Sequence, residues 1–245
     1  MIEVQDLHKR LGTQEVLRGV TMTVRKGETC VVLGRSGCGK SVLLKNLIGL
    51  MQPTSGTVII DGEVISGLPE RKLLQVRRKV GMLFQSAALF DSMTVEQNLA
   101  FPLREQGIKD AKMIHERVTE ALDMVDLLGS EKKMPDKLSG GMRKRVGLAR
   151  TIVGRPQCIL YDEPTTGLDP ITSDSINHLI RRLQKRLHVT SVVVTHDMKT
   201  AFHCADDVVF LHEGRVYFNG PVTGMQASSD PVITDFVEGH SGDTD

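Results

Sequence analysis

Eight consecutive residues, Gly34-Arg35-Ser36-Gly37-Cys38-Gly39-Lys40-Ser41, combine glycines, a lysine and a hydroxyl at the spacing G-x-x-x-x-G-K-[ST]. Those side-chain types suit a chain of phosphates. Glycine lets backbone N–H groups converge on phosphate oxygens, and a helix opening at the end of the loop adds its partial positive charge. Lys40 is placed to neutralise the β- and γ-phosphates of a nucleotide. The Ser41 hydroxyl is a natural ligand for Mg2+, which takes a few protein oxygens and completes its shell with phosphate and water.

Two acids, Asp162 and Glu163, end the apolar run Cys158-Ile159-Leu160-Tyr161. A buried strand delivers carboxylates rigidly, so Asp162 is expected to hold Mg2+ through water and Glu163 to act as general base on the water in line with the γ-phosphate. His196 directly follows another strand-like run, 191–195, a strand-end position that favours a functional role over a structural one. Ser139-Gly140-Gly141 stands before a helical face of Met142, Val146, Ala149 and Ile152. It reads as a helix N-cap and, through its glycine N–H groups, as a second anion site about a hundred residues from the first.

These residues need a scaffold. Thr29–Leu33 is nearly all apolar and predicts a strand in the middle of a sheet; before it, Val20, Met22 and Val24 alternate with polar residues as in a half-buried strand. After the glycine-rich loop, Val42, Leu43, Leu44, Leu47 and Ile48 form a helical face that Gly49 stops. Residues 57–60 with Asp61-Gly62 read as a hairpin strand. Ile114, Val118, Ala121, Leu122, Val125 and Leu128 recur at helical spacing up to Gly129 and predict an amphipathic helix within a helical insert over about 88–137. Strand, helix and strand then alternate through 158–161, 176–187 and 191–195, the pattern of a parallel sheet with crossover helices. Residues 207–211 and 215–218 flank Glu213-Gly214 as a terminal hairpin, and the last residues, HSGDTD, are expected to fray.

With 245 residues and 40% apolar content, the chain can bury one sizeable core with a smaller sub-domain grafted on. Lys plus Arg number 31 and Asp plus Glu 30, a net charge of +1, so no global field draws the chain to nucleic acid or an acidic lipid surface. Arg77-Arg78-Lys79 and Arg143-Lys144-Arg145 read as solvated helix faces, and no nucleic-acid partner is expected. Cys30, Cys38, Cys158 and Cys204 show no C-x-x-C spacing and read as reduced thiols of a cytosolic protein. The N-terminus has no apolar leader and no run is long enough to span a bilayer, so membrane contact would go through a partner or a surface.

The glycine-rich loop, Leu138-Ser139-Gly140-Gly141 and Asp162-Glu163, in this order, make nearly the whole chain resemble the ATP-binding cassette (ABC) family. The resemblance implies an α/β P-loop NTPase fold: an ABC-type nucleotide-binding domain over 2–238, with an N-terminal antiparallel β subdomain and the helical insert, then a polar tail over 239–245. It implies ATP and Mg2+ as cofactors. It also implies that two copies pair head to tail, each ATP lying between Gly34 to Ser41 of one copy and Ser139, Gly140 and Gly141 of the other. In the family pattern Gln85 lies in the loop that reaches Mg2+ and the γ-phosphate, His196 contacts that phosphate, and Asp169 of Gly167-Leu168-Asp169-Pro170 lies at the subunit contact. Two positions depart from it. Leu11 stands near the family's usual adenine-stacking aromatic, a stack worth about 1 to 3 kcal/mol, so base selectivity is expected to be loose. Met142 replaces the more usual glutamine. Neither touches a phosphate or proton-transfer group, and hydrolysis is still expected.

The stretches FQSAALFDSMTVEQNLAFPLRE, LSGGMRKRVGLART and YDEPTTGLDPIT are similar to the ATPases of lipid-transport systems that work with mammalian-cell-entry (MCE) substrate-binding proteins, the Mla phospholipid pathway of Gram-negative bacteria among them. That similarity implies an ATPase peripheral to the cytoplasmic face of the inner membrane, two integral permease subunits, an MCE protein beyond the membrane and, in some systems, a small STAS-domain protein on the helical insert. An importer ATPase for another solute, such as an amino acid or ion, fits the same motifs. A DNA-repair ATPase would need a long coiled coil between Gln85 and Ser139, where roughly fifty residues are too few. A ribosomal type would need two cassettes in one chain. Within MLFQSAALF, Gln85 would sense the γ-phosphate and metal, and 87–90 form an exposed apolar segment suited to gripping a membrane-embedded partner. Packing of Leu89 and Phe90 into the helical insert is the other reading. Cys38, inside the loop, is expected to react with alkylating agents unless ATP protects it.

Overall fold

Side chains of the buried strands alternate between two cores, and that two-sided burial organises the fold. The computed structural model describes residues 1–239; apart from Gly239, the expected polar tail lies outside the described residues. In chain order the elements are β1 (Ile2–Leu11), β2 (Gln14–Val24), β3 (Thr29–Leu33), α1 (Lys40–Leu47), β4 (Ser55–Ile60), β5 (Glu63–Val64), α2 (Glu70–Lys79), β6 (Val80–Leu83), α3 (Val95–Glu105) and α4 (Ala111–Met124). A 3-10 turn (Pro135–Lys137) leads to α5 (Gly140–Ile152), β7 (Cys158–Asp162), α6 (Pro170–Leu187), β8 (Thr190–Thr195), α7 (Met198–Cys204), β9 (Asp207–His212), β10 (Arg215–Gly220), α8 (Val222–Gln226) and α9 (Pro231–Glu238).

An antiparallel sheet has the order β2-β1-β4-β5, and a second sheet the order β10-β9-β3-β8-β7-β6. In the second, only β10 runs antiparallel to its neighbour. Cys30 and Val32 of β3 face the core shared with the antiparallel sheet and α1, whereas Val31 and Leu33 face the core of α3 to α6. β7 divides in the same way, with Leu160 on the first side and Ile159 and Tyr161 on the other. A parallel sheet covered on both faces needs such continuous apolar strands, and each fully buried aliphatic side chain contributes about 1.5 to 3 kcal/mol.

Several expectations are corrected. The helix read up to Gly129 ends at Met124, leaving Leu128 exposed. Its end is set from outside: Arg182 binds the Met124 carbonyl, Arg145 the Val125 carbonyl, and both guanidiniums hold the Asp126 carboxylate at a backbone φ of 59°. The β9–β10 hairpin is not terminal, because α8 and α9 fold back and Phe236 packs on Phe210 with ring centroids 4.8 Å apart. Arg77 is not a simply solvated side chain, since its guanidinium caps the end of α1 at the carbonyls of Ile48 and Gly49, 3.1 and 2.8 Å away. β1 breaks the two-residue period at a bulge, with Asp6 at φ 47° and a register shift between Val4 and Leu7, so its buried positions are Ile2, Val4 and Leu7.

Candidate functional site

The carboxyl ends of β3, β6, β7 and β8 lead directly into Gly34, Gln85, Glu163 and His196, so one edge of the parallel sheet gathers residues far apart in sequence. That edge is where open α/β sheets bind ligands. The glycines are sterically required: a Cβ at Gly39 (φ 107°) would lie 2.8 Å from Leu17 Cδ2, and one at Gly34 would lie 2.5 Å from the Leu211 carbonyl oxygen. α1 starts without a side-chain cap, which leaves the N–H groups of its first turn to a bound anion. Lys40, buried at 6% exposure, donates from Nζ to the carbonyls of Gly34 (2.8 Å) and Arg35 (3.1 Å) and lies 3.7 Å from Glu163 Oε1.

Ser41 Oγ donates to Asp162 Oδ1 at 2.9 Å. A hydroxyl and a carboxylate from separate elements, side by side, are hard oxygen donors of the kind Mg2+ takes, so the residues fit that ion. Glu163 is held in the left-handed region at φ 48°, at a cost of about 1 to 2 kcal/mol. Its N–H donates to the Val194 carbonyl at 2.9 Å, and its own carbonyl accepts from Lys144 Nζ at 3.2 Å. The carboxylate thus stays in the mouth of the site, accepting from Thr166 Oγ1 at 3.0 Å and Thr195 Oγ1 at 3.4 Å. His196 Nδ1 lies 3.1 Å from Glu163 Oε1. Chemically, the arrangement can bind phosphate, place a divalent cation and accept a proton from water.

Leu11, Val16, Gln85, Glu163 and His196 line a cleft of about 600 Å3. Ser36, Gly37, Gly39, Lys40 and Ser41 line it as well. The Arg35 carbonyl accepts from Lys40 Nζ. Cys38 is half-buried, and burial raises its thiol pKa despite the nearby Lys40.

Ser139, Gly140, Gly141 and Asp169 do not enter that cleft. Ser139 is exposed and caps α5, its Oγ accepting from Met142 N at 3.3 Å. A Cβ at Gly141 would meet Thr172 Cγ2 at 2.6 Å, so this glycine lets α5 approach the start of α6. Asp169 caps α6 through Ile171 N at 3.1 Å and Thr172 N at 3.0 Å; the hydrogen bonds from Thr172 hold its carboxyl below the usual range.

Lys144 is absent from the sequence reading of the site and corrects its solvated-face expectation. It is 5% exposed and donates to the carbonyls of both Gln85 and Glu163, while burial lowers its pKa against the pull of Asp162 and Glu163. Its signal was its place in the stripe Lys144, Leu148, Ile152, at i, i+4 and i+8 of an otherwise apolar face. Arg150 likewise binds the carbonyls of Ala87 (2.8 Å) and Ala88 (2.7 Å). The segment 87–90 is only partly exposed: Ala87 is buried against Gly147, Leu89 packs into the helical insert, and Phe90 remains at the surface beside Phe101, 4.9 Å between centroids.

A glycine loop between β3 and α1, acids ending β7 and a parallel sheet covered on both faces define a P-loop nucleotide triphosphatase. A family model for ABC transporters matches residues 17–166, and the chain belongs to that family as an ATP-binding cassette, an ATPase by class. It is 43% identical over 238 residues to the probable ribonucleotide transport ATP-binding protein Mkl of Mycobacterium tuberculosis, covering 97% of this chain and 66% of the relative. It is 37% identical over 239 residues to the intermembrane phospholipid transport system ATP-binding protein MlaF of Escherichia coli, covering 98% and 89%. Among solved structures, the cassette MJ0796, a dimer in a post-hydrolysis state bound to ADP and Pi, matches with a TM-score of 0.83 and 31% identity, covering 91% of this chain and 99% of that one. No helix among the described residues is long and apolar enough to cross a membrane.

Proposed function

We propose that this chain is the ATP-hydrolysing subunit of a phospholipid transporter of the MCE-associated kind, held at the inner membrane by integral permease subunits. The observation that carries the proposal is a division of the site: Ser36, Gly37, Gly39, Lys40, Ser41, Gln85, Glu163 and His196 line one cleft, with Asp162 bonded to Ser41 beside it, whereas Ser139, Gly140, Gly141 and Asp169 are not among its lining residues. A second copy, docked head to tail, brings the N–H groups of its Ser139-Gly140-Gly141 segment to the nucleotide and closes the cleft over MgATP; that the similar cassette MJ0796 is a dimer bound to ADP and Pi supports the pairing of two copies. When bound, Mg2+ neutralises phosphate charge; Ser41 and Asp162 hold it, Gln85 reports on it, and Leu11 offers apolar contact to the base. Glu163 takes the proton of the attacking water, His196 keeps that carboxylate aimed, and Lys40 stabilises the charge on the phosphates.

A groove of about 410 Å3 next to Gln85, with Phe84, Phe90 and Phe101 in its wall, suits a helix of the permease. Likeness to MlaF over nearly the full length of both chains supports phospholipid as cargo; the name of Mkl favours a second reading, an ATPase serving another solute. Purification of the native membrane complex separates the two. Co-purifying phospholipid with an MCE protein is expected, while a complex carrying a soluble-solute binding protein would overturn the lipid assignment. The same preparation shows whether a STAS-domain protein occupies the helical insert.

A further inference from the structure

Within α6, Asp174 and His178 lie one helical turn apart and meet His203 of α7. Among the described residues this is the one group of three His, Cys, Asp or Glu side chains with ligand atoms all within 4.8 Å of one another. Asp174 Oδ2 lies 3.5 Å from His178 Nε2, and the imidazoles of His178 and His203 pack edge to face with centroids 4.0 Å apart. We propose that Asp174, His178 and His203 form a site for a borderline transition-metal ion, Zn2+ being the best match.

The donor set supports that class. Two imidazoles and one carboxylate suit Zn2+, Cu2+ or Ni2+ and disfavour Mg2+ and Ca2+, which want oxygen. Tetrahedral bonds of about 2.0 to 2.1 Å place ligand atoms about 3.3 Å apart, so closure from the present spacing needs only side-chain rotation. Asp174 and His178 are free to rotate, with side chains 67% and 64% exposed. The cationic neighbours are largely answered: Arg181 pairs with Asp206 at 2.7 Å and Arg182 with Asp126 at 2.7 Å. Lys185 and Arg186 line the same hollow as the imidazoles and would draw an anion, such as chloride or phosphate, to the ion's remaining position. Read without a metal, Asp174 and His178 are a surface pair of the i,i+4 type, worth at most about 0.5 kcal/mol, which does not explain why His203 is stacked against the same ring.

A metal here clamps α6 to α7, and α7 starts two residues after His196. The test does not depend on the assigned cargo or on hydrolysis. The full chain is titrated with Co2+ and Zn2+ in excess Mg2+, which occupies oxygen-rich sites. The expected result is one equivalent bound, with visible Co2+ bands free of thiolate charge transfer, since Cys30, Cys158 and Cys204 are buried with thiols pushed up to about 12. His178→Ala and His203→Ala should each weaken binding about tenfold or more, and Zn2+ should raise the Tm of the wild type but not of His203→Ala. Binding that both variants leave unchanged, or no binding below about 1 mM, overturns the proposal.

Discussion

Replacing Lys144 with Met tests whether this buried lysine positions the catalytic loops or only fills space. Methionine is close in length and carries no donor, so the substitution removes both hydrogen bonds and leaves the packing of α5 nearly unchanged. The Glu163 carbonyl keeps a second donor, Thr166 N at 3.3 Å, whereas the Gln85 carbonyl loses the donor that Lys144 supplies. The lost bond is part-buried and Gln85 itself is exposed, so the cost lies in the lower part of the about 1 to 3 kcal/mol that an unpaired carbonyl carries, and relief from burying an ammonium offsets a little of it. A net loss of about 1 to 2 kcal/mol corresponds to a fall in Tm of about 2 to 8 °C for a chain of this size.

Turnover should suffer more than stability. Lys144 joins Gln85 to Glu163 by a bond to the carbonyl of each, and a displacement of about 1 Å between groups that must meet one phosphate and one water costs about 100-fold in rate. The kcat for ATP is therefore expected to fall about 100-fold while KM changes less than about threefold, because the 34–41 loop is not touched. Lys144→Arg, which keeps the charge and the donors, should recover part of the loss. Steady-state hydrolysis and thermal unfolding on the same preparations decide the matter. A lowered Tm with wild-type kcat would reduce Lys144 to a packing role, and unchanged values of both would refute the reasoning altogether.

Glu163→Gln should retain ATP binding and trap a dimer on MgATP, measured by size exclusion, with hydrolysis lost; undiminished turnover would remove Glu163 from its role. Lys40→Ala should abolish tight nucleotide binding in a fluorescence titration, because no other ammonium lies in the cleft. Asp206→Asn should destabilise the fold at neutral pH. Burial pushes the Asp206 carboxyl up, but hydrogen bonds from Arg181 and Thr29 N prevail and hold it below the ordinary value of 3.8. Its contribution is thus present above that value and disappears as pH falls through the lower, folded one. The gap in denaturation midpoint between wild type and variant should close only below about pH 4.

The parts of the site that could be read from sequence are those whose mechanism is local. Residues 34–41 are proposed to bind through their own backbone, and Asp162 and Glu163 are fixed by the apolar strand before them, so type and spacing suffice. Lys144 was missed because its purpose lies in carbonyls 59 and 19 residues away, and a cationic side chain amid Arg143 and Arg145 looks solvated. The end of α4 was misread for a related reason: the apolar period runs on to Leu128, but Arg145 and Arg182, arriving from α5 and α6, end the helix at Met124. In β1 the bulge at Asp6 shifts the buried positions and hides the alternation. Each miss is a tertiary contact overriding a local pattern.

That same long-range bonding suggests how α5 links the two ends of the proposed motor. Its first turn presents Ser139, the group offered to a second copy, and its body holds the segment after β6 at two points, Lys144 on Gln85 and Arg150 on Ala87 and Ala88. Gly147 lies between them, where an added Cβ would come within 3.0 Å of Ala87 Cβ, so helix and segment are in backbone-level contact. Phe90, at the far end, is pinned by Asn98 through its N–H at 2.8 Å and its carbonyl at 3.1 Å. A helix of this length spans about 20 Å and resists bending. Under the proposed pairing, a shift of Ser139 on nucleotide closure is therefore carried as a rigid body to the aromatic groove, rather than absorbed in the loop between them.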